Sequence, residues 1–174
     1  MKGWFSILIM ILFIIAGCVN KEKFEKLNVS VGFEKFPEKY TCDGNDISPR
    51  ISINGIKNNI KSIAIMLIDS DARNFAHWLI WNIVPKSSIL VIPENISKKG
   101  EVTNPIKAIQ GRNDFGKIGY NGPCPPHGKH HYHFKVYGLD TTLNLSAGST
   151  KWQLEKAMKG HIIQYGEAVA TYER

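Results

Sequence analysis

Residues 111–134 read GRNDFGKIGYNGPCPPHGKHHYHF, and the rest of the chain is arranged around them. The stretch opens on Gly, Asn and Asp, passes through Pro123, Pro125 and Pro126 around Cys124, and ends in His127, His130, His131 and His133. Few apolar side chains lie between Gly111 and Gly128, which predicts a loop. From Lys129 the pattern changes to alternation, the signature of a strand over 130–139. His130, Tyr132, Phe134 and Val136 share one face; His131, His133, Lys135 and Tyr137 share the other. Phe134 and Val136 point the first face at a core, so His130 and Tyr132 are expected at its mouth, beneath a stiff proline-rich lid.

Working outward, Ile60–Asp71 alternates Ile63, Ile65 and Leu67 with Ala64, Met66 and Ile68, so both faces are apolar. That predicts a central strand covered on both sides. Asp69, and Asp71 if the strand continues, fall on the face of Leu67, where carboxylates need a partner or a solvated cleft. Phe75–Val84 is a second strong strand, with His77, Leu79, Trp81 and Ile83 on one face and Trp78, Ile80, Asn82 and Val84 on the other. Weaker patterns predict a first strand over Leu27–Phe33 and an edge strand over Arg50–Ile56. Residues 85–110 read as irregular, apart from a short strand near Ile89–Ile92. Thr150 and Gln153 form a capping-box pattern opening a helix over Lys151–Lys159, ended by Gly160, with Trp152, Glu155, Ala157 and Met158 as its apolar face. His161–Tyr172 is expected as a last strand or pair of strands, broken near Gly166.

The 174 residues suit one domain, and the formal net charge is +7. The lysines are scattered (Lys21, Lys57, Lys98, Lys107, Lys151), with no dense basic block, so a nucleic-acid partner is not expected. Met1 and Lys2 precede an apolar run from Trp4 to Ile15, too short for a membrane-spanning helix but suited to a signal peptide over residues 1–17. Small residues before Cys18 resemble a lipobox, which would make Cys18 the lipidated mature N-terminus, followed by a charged tether to residue 26. The expected location is then the outer face of the cell membrane. A retained signal anchor, or ordinary cleavage nearby, is the alternative. In an exported chain Cys42 and Cys124, both in Gly/Pro/Asp-rich loops, are expected either as a disulfide or as two structural thiols.

Several chemistries are disfavoured. The histidines and Cys124 lack the spacing of a closed tetrahedral metal set, and no metal or cofactor is expected. There is no Gly-x-Ser-x-Gly elbow and no P-loop; a hydrolytic triad assembled only in space is left as a remote class. What fits is a small anion pocket built from side chains, in which imidazoles and a phenol donate to phosphate-like oxygens while aspartates hold the imidazoles' other nitrogens. A carboxylate repels a bare anion, so the set suits a zwitterion such as phosphoethanolamine.

The ordered motifs Tyr40-Thr41-Cys42-Asp43-Gly44 with Ser48-Pro49, Asp69-x-Asp71-Ala72, His77-Trp78 with Asn82-Ile83, Gly119-Tyr120-x-Gly122-Pro123-Cys124-Pro125-Pro126-x-Gly128-x-His130-His131-Tyr132 and Tyr137-x-Leu139-Asp140 resemble the phosphatidylethanolamine-binding protein family, in its bacterial and archaeal Raf kinase inhibitor-like branch. The resemblance covers roughly residues 27–174. It implies a mainly β fold, with a large central antiparallel sheet packed on a smaller sheet and a C-terminal helix. It further implies a non-catalytic anion pocket lined by Asp69, Asp71, His77, Gly122, Pro123, His130 and Tyr132, and a phosphate-bearing small molecule or lipid head group as ligand. Some relatives inhibit kinases or proteases, so regulation of a partner protein, such as a protease, is the alternative function. The match departs at Ser70 and Arg73, where the family pattern has prolines; Arg73 would add a cation beside the pocket.

Overall fold

A computed structural model describes residues 24–174. The expected signal peptide and Cys18 lie outside the described residues. Among the described residues ten strands, one short 3-10 helix (Glu38–Tyr40, between β2 and β3) and one α-helix follow in order: β1 (Glu25–Lys26), β2 (Asn28–Ser30), β3 (Ile51–Asn54), β4 (Ser62–Asp69), β5 (Phe75–Ile83), β6 (Ile89–Ile92), β7 (Glu101–Val102), β8 (Ala108–Gln110), β9 (Lys129–Leu139), α1 (Lys151–Met158) and β10 (Ile162–Glu173). The large sheet runs β1-β10-β9-β4-β5-β8-β7 and the small one β2-β3-β6. Every pair is antiparallel except β1 with β10. This is the mainly β architecture that the resemblance implied.

β4 is central, and all eight of its residues are buried. Its two apolar faces feed two cores. Ile63, Ile65 and Leu67 join Trp78, Phe134 and Val136 of the same sheet against Ile51, Ile53 and Ile92 of the small sheet. Ala64, Met66 and Ile68 face the other way, joining Leu79, Trp81 and Leu139 beneath Leu143, Leu154 and Met158. Each buried large side chain adds ~1.5–3 kcal/mol of transfer free energy.

Strict alternation fails in β5, and the failure matters for function. Leu67 pairs with Trp78 but Ile68 with Ala76, which leaves His77 as an extra residue. A second irregularity pairs Ile65 with Ile80 and Ile63 with Ile83, around Asn82 at φ 59. Each bulge shifts the side-chain phase by one. Leu79 and Trp81 keep the helix-side core, while Ile83 moves to the inter-sheet core and the His77 ring turns to Tyr132, 5.2 Å away between centroids. His77 and Ile83 therefore leave the face that simple alternation assigns them.

Other expectations need adjustment. The first strand divides at Leu27, with β1 in the large sheet and β2 in the small one. β3 lies in the middle of the small sheet and is not an edge. Residues 85–110 hold the β7–β8 pair besides β6. β10 is continuous through Gly166; a Cβ there would lie 2.4 Å from the Leu27 carbonyl oxygen, so the glycine admits the crossing of the N-terminal strand. The Thr150/Gln153 capping box is present in α1. The helix buries Leu154 and Met158, whereas Trp152 is 65% exposed with Lys156 Nζ 5.1 Å from its ring.

Candidate ligand-binding site

Asp69 ends β4, paired in the ladder with Tyr132 of β9 on one side and Phe75 of β5 on the other. Three strand ends therefore converge on one carboxylate. Asp69 Oδ1 accepts from the backbone N–H groups of Asp71 (2.9 Å) and Ala72 (3.1 Å), which ends the strand in a turn. Its Oδ2 lies 2.7 Å from His130 Nδ1. His130 is two residues before Tyr132 on the same face of β9, so the pair is a diagonal contact across strands. The Asp69 side chain is 4% exposed and that of His130 is 16% exposed.

The bulge delivers His77 to the same place. Its Nδ1 lies 2.9 Å from the Asn121 carbonyl and 3.2 Å from that of Gly122. Carbonyls only accept, so Nδ1 carries the proton and Nε2 presents a lone pair in the neutral ring. Burial pushes the His77 pKa below its usual value, more strongly than the two carbonyls and the charge of Asp69 raise it. The expectation that a carboxylate would hold the second nitrogen of each imidazole is met at His130 and not at His77, where the backbone does so.

Tyr132 stands between the two imidazoles, with ring centroids 5.2 Å from His77 and 6.4 Å from His130. It is fully buried; no partner meets its hydroxyl at full hydrogen-bond geometry, although the Asp69 carboxylate lies close enough to act on it. Burial, then the charge of Asp69, pushes the phenol pKa far above its ordinary value, so the hydroxyl stays protonated as a donor. An unmet buried donor costs ~1–3 kcal/mol, a cost that a ligand oxygen would offset.

The proline-rich segment forms a wall. Gly122 N–H donates to Asp46 Oδ1 (2.6 Å) and the Pro123 carbonyl accepts from Cys42 N–H (3.1 Å). A Cβ on Gly122 would lie 2.1 Å from the Tyr40 carbonyl oxygen, so only glycine permits this contact. Cys42 and Cys124 form a disulfide with Cα atoms 5.4 Å apart, tying the same two loops. Asn113 shapes the loop before the wall: its Oδ1 accepts from Phe115 and Lys117 N–H, and its Nδ2 donates to Gly119 O and Asn121 Oδ1.

Asp71 stands apart from this set. The strand stops at Asp69, so Asp71 does not share its face. Asp71 Oδ2 takes His131 N–H (2.6 Å) and lies 2.9 Å from His131 Nδ1 at the rim; the backbone N–H of His131, then its side chain, hold the Asp71 pKa below the usual range. Arg73 lies in the same turn, exposed, at φ 54. Alternation alone does not reveal Phe75 and Phe115, which pack edge-on at 4.8 Å from each other and at 5.4 and 5.2 Å from His77. Asp46 was equally hidden; only the Asn-Asp-Phe run hinted at the turn that carries Phe115.

Chemically, the cluster offers one buried hydroxyl donor, one imidazole held by a carboxylate, one neutral imidazole with a lone pair, and aromatic walls. Among the described residues no group of three or more metal-ligating side chains gathers.

Comparison with known proteins bears on the family and the fold. A family model described as phosphatidylethanolamine-binding protein matches residues 29–173. The UPF0098 protein PH1269 of Pyrococcus horikoshii is 54% identical over 183 residues, covering 100% of this chain and 91% of the relative. Among solved structures, a phosphatidylethanolamine-binding protein homologue from Chlamydia trachomatis superposes with a TM-score of 0.71 at 36% identity, over 86% of this chain and 97% of that one. YbcL of E. coli, described as a new member of the mammalian PEBP family, gives 0.75 at 28% identity over 85% of this chain and 98% of that one. The chain belongs to the phosphatidylethanolamine-binding protein family.

Proposed function

We propose that this protein is a non-catalytic binding module whose pocket takes a phosphate-bearing group, either a free small molecule or a lipid head group, and that Cys18 anchors it to the outer face of the membrane. The observation that carries the pocket is the buried, unpaired Tyr132 hydroxyl set between His77 and the Asp69–His130 pair. The hydroxyl donates to a phosphate oxygen, and His130, oriented by Asp69, donates through Nε2 when protonated. Gly122 and Pro123 supply the wall, and Asp71 with His131 the rim. His77, neutral when the pocket is unloaded, donates to the phosphate from Nε2 once protonated. An anion beside it favours its protonated form, so binding takes up a proton. Affinity is then highest at low pH and falls as pH rises.

Calorimetric titration of the purified protein with phosphoethanolamine and with inorganic phosphate, from pH 5.5 to 8, tests this reading. The expected result is saturable binding that weakens with rising pH and is lost in His130→Ala. Tighter binding of phosphoethanolamine than of phosphate would favour a head group. A flat titration with the fold intact rejects the pocket and moves the function to the alternative, regulation of a partner protein such as a protease.

A further inference from the structure

Val84 directly follows the end of β5, seven residues beyond His77, so a rise of ~3.3 Å per residue puts it roughly 20 Å from the pocket. There a groove of about 640 Å³ opens between β6 and residues 103–107. Val84, Ile89, Leu90 and Ile106 line it, with Lys86 and Lys107 as its only ionisable lining residues. Val84 and Ile89 are 59% and 56% exposed, among the most exposed large apolar side chains described. β6 reads Ile-Leu-Val-Ile and is the last strand of the small sheet, paired only with β3. Edge strands are normally blunted by charge, proline or a covering loop; β6 has neither charge nor proline within it.

We propose that this groove docks an extended peptide of alternating apolar and acidic residues, added as a strand beside β6. An added strand meets the open backbone edge, alternate apolar side chains fill the groove over Ile89 and Ile106, and the intervening carboxylates meet Lys86 and Lys107. Neither lysine enters an ion pair among the described residues. The charge sets the choice of occupant: a second copy docked by the same groove would oppose lysine to lysine. A flat anionic bilayer would meet the same charge but does not fill a concave groove beside an open strand edge. The proposal is independent of the phosphate pocket.

Fluorescence anisotropy of the purified protein with an end-capped heptapeptide alternating glutamate with isoleucine or valine tests it. The expected outcome is saturable binding, weakened about tenfold or more by Ile89→Ser and by Lys107→Glu, and lost when the peptide backbone is N-methylated at alternate positions. Both substituted residues are exposed, and urea midpoints check the fold; Lys107→Glu stands alone if Ile89→Ser does not fold. His130→Ala is expected to leave peptide affinity unchanged, which separates this groove from the pocket. Equal affinity of both variants, or equal binding of a peptide with lysine in place of glutamate, overturns the proposal. So does Ile89-dependent binding to anionic vesicles without peptide binding, or Ile89-dependent dimerisation in sedimentation.

Discussion

On the inner face of β9, His130 meets Asp69 at 2.7 Å, with the side chains 16% and 4% exposed. On the outer face, His131 meets Asp71 at 2.9 Å with 48% and 40% exposed, and His133 meets Glu167 at 2.7 Å with 25% and 30% exposed. The pairs are chemically alike, and their lengths differ little. Their surroundings differ: water screens the outer pairs, whereas Asp69 sits against Tyr132 at the edge of the inter-sheet core. Geometry on its own would rank the pairs as equals; burial makes only the inner one a site in which a charge must be answered by a fixed partner.

The largest test of this contrast is packing. Phe134 is fully buried on the inner face, stacked on Phe36 with centroids 5.7 Å apart, so Phe134→Ala is expected to cost ~3–5 kcal/mol in urea unfolding. Its outward neighbour Lys135 changed to Ala is expected to stay within ~0.5 kcal/mol. Similar losses at both positions would mean that β9 does not have an inside and an outside. Charge removal comes next. Asp69→Ala strands His130 and frees the turn N–H groups of Asp71 and Ala72, at ~3 kcal/mol, while Asp71→Ala is expected to cost below ~1 kcal/mol. A ratio near one in the same unfolding assay breaks the comparison.

The finest test uses pH. Burial lowers the folded-state pKa of His77 below its usual value of 6.5, so the unfolded chain binds the proton more readily. The stability linked to His77 is complete above pH 6.5 and is lost as pH falls from there through the folded pKa. Unfolding midpoints of the parent and His77→Asn, measured between pH 7.5 and 5, are expected to converge as the pH falls. Parallel curves would show that His77 is not held neutral by its surroundings.

Much of this was legible in one dimension. Alternation in β9 placed His130, Tyr132 and Phe134 on one face, double-sided apolarity in β4 identified the central strand, and Thr150 with Gln153 marked the start of the helix. These signals are local, because side-chain period, two-sided burial and capping each depend on residues a few positions apart. His77 was recognisable as a candidate only through the motif it shares with a family; its own strand pattern aimed it at the wrong core. The bulge that redirects it depends on pairing with β4. Phe115, Asp46 and Asn113 come from loops whose residues announce turns and not destinations.

The sequence by itself determined the strand periods, the helix cap and the residue types of the candidate site, since each is written within a short window of the chain. Tertiary structure alone decided that His77 and Tyr132 meet, that Asp69 serves His130 while Asp71 is turned out to His131, and that β6 ends a sheet with its edge open. Those outcomes depend on register and burial between segments far apart in the chain, where one inserted residue reverses a face and a few ångströms of cover change the weight of a charge.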